Sequence, residues 1–296
     1  MGFFNLKPKN MKSKVVLITG CSTGVGFETA IEFAKAGHKV YATMRNLEKA
    51  TKLNQLIAEE NLSISILQLD VQDNSSIKKT VLKIIEIENR IDILINNAGQ
   101  GFIKTVEQTS EEEAKNLFDL NFFGNTRTVK AVLPTMRKQK SGHIIGISSV
   151  GGLVGQPLNE LYCASKFALE GFYESMATYM TKYFGIKISI IEPAGIATEF
   201  VNNVMANVIQ TGGFADDDYK QVLDDYMETS RKKGSFAAQT PNDIAQVILN
   251  CSTLENPPLR IRTSEKAEEF TKLKTNLDPD GTLLCKQITK NMLEYE

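Results

Sequence analysis

Apolar residues in this chain follow two recurring patterns, short continuous runs and longer stretches spaced every three or four positions. Lys14 to Thr19 (Lys-Val-Val-Leu-Ile-Thr) is a β-branched run without polar alternation, which predicts a strand buried on both faces. Phe27 to Ala36 then has helical spacing and is closed by Gly37. The exchange repeats, with strands predicted at Lys39 to Met44, Ser63 to Leu69 and Ile91 to Ile95, and helices at Leu47 to Glu60 and Ser75 to Glu88. Ser110, followed by Glu111, Glu112 and Glu113, supplies a capping hydroxyl and acids at the positive end of a helix dipole. That helix is read as running through Asn121 towards Lys138. His143 to Ile147 is a strand, Leu161 to Phe184 a long helix, and Ile186 to Ile191 another strand. Strands alternating with helices imply βαβ crossovers. The expected fold is α/β, a doubly wound parallel sheet with helices on both faces.

Further along, Phe200 to Ile209 carries an apolar stripe at helical spacing beside Gln210-Thr211-Gly212-Gly213. A lid over a pocket and an ordinary core-facing helix both fit it. Thr240 and Pro241 open another helix, and Pro258 to Arg262 reads as a last strand. The tail, Glu265 to Glu296, reads as two charged helices around Asp278-Pro279-Asp280-Gly281, a solvated extension. Composition marks no linker. The expectation is one domain over residues 1–296, with a core at about 12–262 and a helical C-terminal extension over 263–296.

Bulk numbers remove several functions. A net charge of −1 gives no electrostatic footprint for nucleic acid or an anionic membrane. No apolar run approaches the ~20 residues of a membrane span, and the first residues lack a signal-peptide core. No integral membrane span and a cytoplasmic location are therefore expected. Cys21, Cys163, Cys251 and Cys285 lack metal or redox spacing and read as reduced, mostly buried thiols. His38 and His143 read as surface or turn residues, and no metal site is expected.

Two stretches carry candidate chemistry. Gly20-Cys21-Ser22-Thr23-Gly24-Val25-Gly26 lies between the first strand and the first helix. Such a turn lets backbone N–H groups approach a pyrophosphate at the positive end of a helix. The second stretch runs from Ser148 to Lys166. Tyr162 and Lys166 are four residues apart, on one face of a helix, with Ser149 upstream across a glycine-rich turn. An ammonium favours phenolate over phenol, so the tyrosine is expected below its reference pKa of about 10. Tyr183 and Lys187 have the same spacing, but Gly185 between them marks a helix exit into a strand.

Taken together, Thr19-Gly20-x-x-x-Gly24-x-Gly26, Asn96-Asn97-Ala98-Gly99, Asn121, Ser149 and Tyr162-x-x-x-Lys166 resemble the short-chain dehydrogenase/reductase family in order and spacing. The likeness covers roughly residues 12 to 262 and implies a Rossmann-type sheet. Pro157 to Gly171 looks most like the 17β-hydroxysteroid and retinol dehydrogenase branch.

The resemblance implies a general acid/base at Tyr162, with Lys166 lowering its pKa and holding the nicotinamide ribose. It implies that Ser149 orients the substrate oxygen and that Asn121 holds a water in a proton relay. Gly20, Ser22, Thr23, Gly24, Val25 and Gly26 would form the phosphate turn. Asp70 and Val71 would lie beside the adenine, Asn97 beside its ribose, and Ile196 and Thr198 over the carboxamide, with Gly99 also against the cofactor. One departure is Pro193-Ala194-Gly195, where the family has Pro-Gly, which bears on the last two. At the end of the second strand Met44 offers no acceptor for a ribose 2′-hydroxyl, and Arg45 suits a 2′-phosphate.

The expected activity is NADP(H)-dependent interconversion of an apolar alcohol and its ketone or aldehyde, with NAD(H) as the alternative cofactor. A steroid-, retinoid- or fatty-acyl-like substrate and a homodimer or homotetramer are part of that expectation. A nucleotide-binding regulator or scaffold without turnover, and an enoyl reductase of the same fold, are the rival readings.

Overall fold

In the computed structural model, which describes residues 12–196, 216–232 and 239–286, the predicted strands lie side by side and all parallel. They are β1 (Val15–Ile18), β2 (Lys39–Met44), β3 (Ile64–Gln68), β4 (Ile93–Asn96), β5 (Gly142–Ile147), β6 (Ile186–Glu192) and β7 (Arg260–Arg262). Their order across the sheet is β3-β2-β1-β4-β5-β6-β7. The helices are α1 (Gly24–Lys35), α2 (Thr51–Glu60), α3 (Asn74–Glu88), α4 (Glu111–Phe118), α5 (Gly124–Gln139), α6 (Glu160–Phe184), α7 (Lys220–Lys232), α8 (Pro241–Thr253) and α9 (Glu265–Thr275).

The unbroken apolar runs have the cause expected of them. In β1, Val16 and Ile18 enter one core layer with Phe27, Phe33 and Ile248, while Val15 and Leu17 enter the other with Ile84, Val132 and Tyr173. A strand covered on both faces leaves no position for a polar residue. β1 pairs with β2 on one side and β4 on the other, so the strand order reverses there. Open α/β sheets hold ligands in that crevice, beyond the carboxyl ends of the strands.

Three findings differ from the sequence reading. The helix expected from Ser110 to Lys138 is interrupted, because Asp119–Phe123 forms one π-helical turn between α4 and α5. Gly124 ends that turn against Val71, where a Cβ would fall 2.8 Å from Val71 Cγ2. Second, His38 and His143 are buried rather than on the surface. His143 sits on β5, covered on both faces, with Nε2 3.0 Å from Ser189 Oγ. Burial brings its imidazole down to about 3, so it stays neutral.

Third, the tail is not simply solvated. Ala267 and Thr271 of α9 are buried, and the chain returns to β7 through Arg260 N donating to Asp280 O at 2.9 Å. As expected, a helix begins after Gly281: residues 282–286 are helical, with Asp278 accepting from Leu284 N at 2.8 Å. The stripe from Phe200 to Ile209 and the end of the tail lie outside the described residues. Among the described residues, no helix is long and apolar enough to cross a membrane.

Gly185 bears out the dismissal of the second tyrosine–lysine pair. It closes α6 at φ +66°, and a Cβ there would fall 2.4 Å from Lys140 O. Lys187 has already entered β6.

Candidate active site

The glycine turn crosses the end of β1 and opens α1. Gly20 and Gly24 have φ of +72° and +63°, in the region that favours glycine. A Cβ on Gly26 would fall 2.4 Å from Gly20 O, so the turn closes this tightly only on glycine. Thr23 caps α1 in an extended conformation with no side-chain cap bond. The first N–H groups of α1 therefore have no side-chain acceptor there, the arrangement in which a helix N-terminus takes a phosphate. Val25 turns its side chain into the core, so only its main chain faces the turn. Asn97 braces the turn from β4, its Nδ2 donating to Thr19 O at 2.9 Å and Gly20 O at 3.0 Å. That side chain is thus occupied in shaping the turn.

The remaining nucleotide candidates fall along the same edge. Arg45 is exposed just after β2, and its main-chain carbonyl accepts from Gln68 Nε2 at 3.1 Å. Asp70 accepts from Gln72 N at 3.0 Å, which sets the turn after β3, and Val71 is wedged against Gly124. Ile196 forms a parallel bridge with Gln239 on the opposite side. Thr198 lies outside the described residues.

Between these edges the four catalytic candidates converge. Ser149 leaves β5 in extended conformation, and its Oγ accepts from Gly151 N at 3.0 Å. It also bonds the Tyr162 hydroxyl, favouring the phenolate. A Cβ on Gly151 would touch both, 3.3 Å from Tyr162 Cε1 and 3.4 Å from Ser149 Oγ. Lys166, one turn further along α6, is 7% exposed, and its Nζ donates to Ile147 O at 3.0 Å. Asn121 sits in the π-helical turn, fully buried. Its Oδ1 accepts from Gln100 N at 2.8 Å, and its Nδ2 donates to Gln100 O at 2.9 Å and Ser165 Oγ at 3.2 Å. Gly99 closes the cluster, since a Cβ there would fall 3.2 Å from Asn121 Oδ1 and 3.8 Å from Lys166 Nζ.

The electrostatics correct one expectation. Tyr162 is pushed up to about 12 rather than drawn down, because burial of its hydroxyl outweighs the Ser149 bond. Tyr162 as a whole is half-buried, but its hydroxyl is enclosed. Lys166 does not reverse this. Burial lowers its own ammonium to about 8, against the charge of Glu170, which raises it. At neutral pH the pair is therefore a protonated phenol beside an ammonium.

Residues 14–208 match the family described as short chain dehydrogenase. The chain belongs to the short-chain dehydrogenase family. Homo sapiens retinol dehydrogenase 8 is 40% identical over 276 residues, which make up 91% of this chain and 87% of that protein. Homo sapiens 17-beta-hydroxysteroid dehydrogenase type 1 is 35% identical over 278 residues, 92% of this chain and 84% of that protein. Among solved structures, ElxO with NADP bound aligns with a TM-score of 0.70 at 29% identity, covering 85% of this chain and 98% of that one. This short-chain dehydrogenase falls in the retinol and 17β-hydroxysteroid dehydrogenase-like branch and acts on CH–OH groups with a nicotinamide cofactor.

Three parts of the site carried no sequence signal. One is the π-helical turn holding Asn121. Another is a set of bonds tying the 104–113 loop to the start of α7, with Gln108 Nε2 donating to Asp217 Oδ2 at 2.8 Å and Tyr219 OH to Glu107 Oε2 at 2.7 Å. The third is a buried charge cluster behind Ser149, comprising Glu170, Glu192, Arg260 and Arg262.

Proposed function

We propose that this short-chain dehydrogenase reduces an apolar ketone or aldehyde with NADPH, and runs the reverse oxidation, with Tyr162 as the general acid/base. The hydrogen bond between Ser149 and the Tyr162 hydroxyl carries this reading. Two hydroxyls that meet at one point define where a substrate oxygen has to sit. The glycine turn and the start of α1 would hold the cofactor's pyrophosphate, and Arg45 a 2′-phosphate. When bound, the nicotinamide supplies or accepts the hydride.

The chain's own part is the proton. In the reductive direction Tyr162 gives its phenolic proton to the carbonyl oxygen, and Ser149 donates to the same oxygen. The Lys166 ammonium then stabilises the phenolate left behind. With the phenol held near 12, Tyr162 keeps its proton throughout the neutral range, which suits an acid. Asn121 has its side-chain amide engaged with Gln100 and Ser165. What it offers a relay water is its main-chain carbonyl, which accepts from Asn125 Nδ2 at 2.8 Å and keeps a second lone pair.

An apolar substrate of steroid or retinoid size, or a fatty-acyl one of similar bulk, is supported by the retinol and steroid dehydrogenases among the relatives and by Leu153 and Val154, half-buried just after Ser149. Leu158 is 4% exposed and belongs to the packing instead. Lys166 sets the pH dependence. It is charged below about 8 and neutral above. Carbonyl reduction is expected to hold level from mildly acidic to neutral pH and to fall as pH rises through about 8. A pH–rate profile with NADPH checks this, and a rate that climbs through that range contradicts the role given to Lys166.

A further inference from the structure

Behind the site lies a charge cluster that none of these steps uses. Glu170 on α6 and Glu192 at the end of β6 are 4% and 0% exposed. Arg260 Nε lies 3.1 Å from Glu170 Oε2 and 3.4 Å from Glu192 Oε1, and Arg262 Nη1 lies 3.1 Å from Glu192 Oε2. The same guanidiniums also hold outer carboxylates, Glu174 at 2.5 Å from Arg260 and Glu268 of α9 at 3.0 Å from Arg262. Four carboxyls thus face two guanidiniums. Part of each guanidinium's charge is shared with a carboxylate that solvent reaches, which leaves less of it for the two buried ones.

The unpaired atoms point the same way. Among the described residues, Glu170 Oε1 and Glu192 Oε1 are buried with no well-formed hydrogen bond, although Ser148 Oγ lies near enough to Glu170 to favour its anion. An ionised carboxylate only accepts, so two that meet cannot satisfy each other. A buried polar atom left in this state is destabilising, and more so when it is charged. One added proton removes the conflict, because the acid so formed donates to its neighbour. Glu192 is the one that keeps the proton: burial and the Glu170 charge both push it well above the usual carboxylate range, against Arg262 and Arg260. Glu170 is raised by burial as well, but bonds with Ser148, Arg260 and Glu192 and the Arg260 charge oppose this.

Glu170 also reaches the reacting groups indirectly. It stands one turn beyond Lys166, and its charge is what supports that ammonium against burial. Its carboxyl props up the turn that carries Ser149, since a Cβ on Gly152 would fall 3.1 Å from Glu170 Oε1 and 2.7 Å from Ser148 Oγ.

We propose that Glu170 and Glu192 share a single proton and act as a positioning pair, with Glu192 as the acid and Glu170 as the anion that keeps Lys166 charged. Arg260 and Arg262 tie the pair to β7 and, through Glu268, to α9. The role of Lys166 rests on the function proposed above, whereas the shared proton does not. The charged groups facing the pair are Lys166 and Glu174 from α6, Arg260 and Arg262 from β7, and Glu268 from α9. Asp280 meets Arg260 through its main-chain carbonyl.

The sign of the pH effect follows from the direction of the Glu192 shift. As pH rises past the ordinary carboxyl range, the unfolded chain loses this proton while the folded chain keeps it. That contribution to stability is therefore lost as pH rises towards the folded value. Glu192→Gln has no proton to lose, so its stability should gain on the unmodified protein over this range.

Infrared spectra of the unmodified protein test the shared proton without any variant. A protonated-carboxyl carbonyl band is expected near pH 7 and should be absent from Glu192→Gln. Thermal melts across pH should show Glu192→Gln holding its melting temperature. Glu170→Gln should melt lower and move the alkaline limb of nucleotide affinity, read by fluorescence, down by about one pH unit. Absence of the band near pH 7, or a Glu192→Gln variant that melts well below the unmodified protein at every pH, means two ionised carboxylates and overturns the proposal. An unmoved limb in folded Glu170→Gln overturns its positioning half. Normal turnover in Tyr162→Phe would remove the proposed reaction and leave the infrared band intact, so the two failures are distinguishable.

Discussion

Tyr162→Phe is expected to bind NADP(H) as the unmodified protein does and to lose about 10²-fold or more in turnover, the range for removing a general acid. The substitution deletes one oxygen. It leaves Lys166 on Ile147 O and leaves Asn121 between Gln100 and Ser165, because neither contact uses the phenol. The lost partner is Ser149 Oγ, which is only half-buried and still accepts from Gly151 N. Stability and nucleotide affinity should therefore change little, while the proton has no donor at the right place. A factor of 10² is about 2.7 kcal/mol of transition-state stabilisation, more than the loss of one neutral hydrogen bond usually accounts for. Single-turnover kinetics with NADPH, beside a fluorescence titration of the nucleotide, separate the two effects. Near-normal turnover in a variant that binds normally contradicts the role of Tyr162.

Arg45→Ala is expected to cost about 10- to 100-fold in kcat/KM with NADPH and little with NADH, as for losing one charge-assisted bond to a phosphate. Arg45 is exposed at the end of β2, so its removal tests the cofactor without touching the core. The acidic neighbour that would blunt it, Glu48, takes a bond from Asn46 Nδ2 at 3.2 Å instead. A carboxylate introduced at position 44, to take the ribose 2′-hydroxyl of NAD(H), is not a usable reciprocal change. Met44 is 2% exposed and packs in the layer with Ala50 and Leu53. A carboxylate there would be buried, and lost stability would hide any swing towards NAD. Equal losses with both cofactors in Arg45→Ala would mean that the guanidinium does not read the 2′-phosphate.

The parts of this molecule that were legible from sequence are those fixed by near neighbours along the chain. Val15 to Ile18 announces a strand covered on both faces because no polar residue interrupts it. Tyr162 and Lys166 share a face because one turn of α6 separates them. The glycine turn is legible because Gly20 and Gly24 take positive φ, which other residues avoid. What was hidden depends on sheet order. Glu170 and Arg260 meet across 90 positions, through β6 lying beside β7, and nothing local in either segment marks the pairing. The π-helical turn at Asn121 spans Asp119-Leu120-Asn121-Phe122-Phe123, a stretch with no glycine or proline to announce it. His143 looked polar in sequence, and only the two layers over β5 make it a neutral core residue. Spacing predicts the opposite sign for the Tyr162 shift because it reveals the nearby ammonium but not the burial that raises the phenol against its Ser149 bond.

The most direct test of the proposed reaction is the nicotinamide fluorescence of NADPH, followed after mixing with purified protein and a panel of apolar ketones and aldehydes. At neutral pH the Tyr162 phenol is protonated and bonded to Ser149, so fluorescence should fall continuously with at least one steroid-, retinoid- or fatty-acyl-like carbonyl, and the alcohol should accumulate in equal amount. A protein that binds NADPH yet consumes none of it with any member of the panel would contradict the proposed reaction and favour a nucleotide-binding regulator.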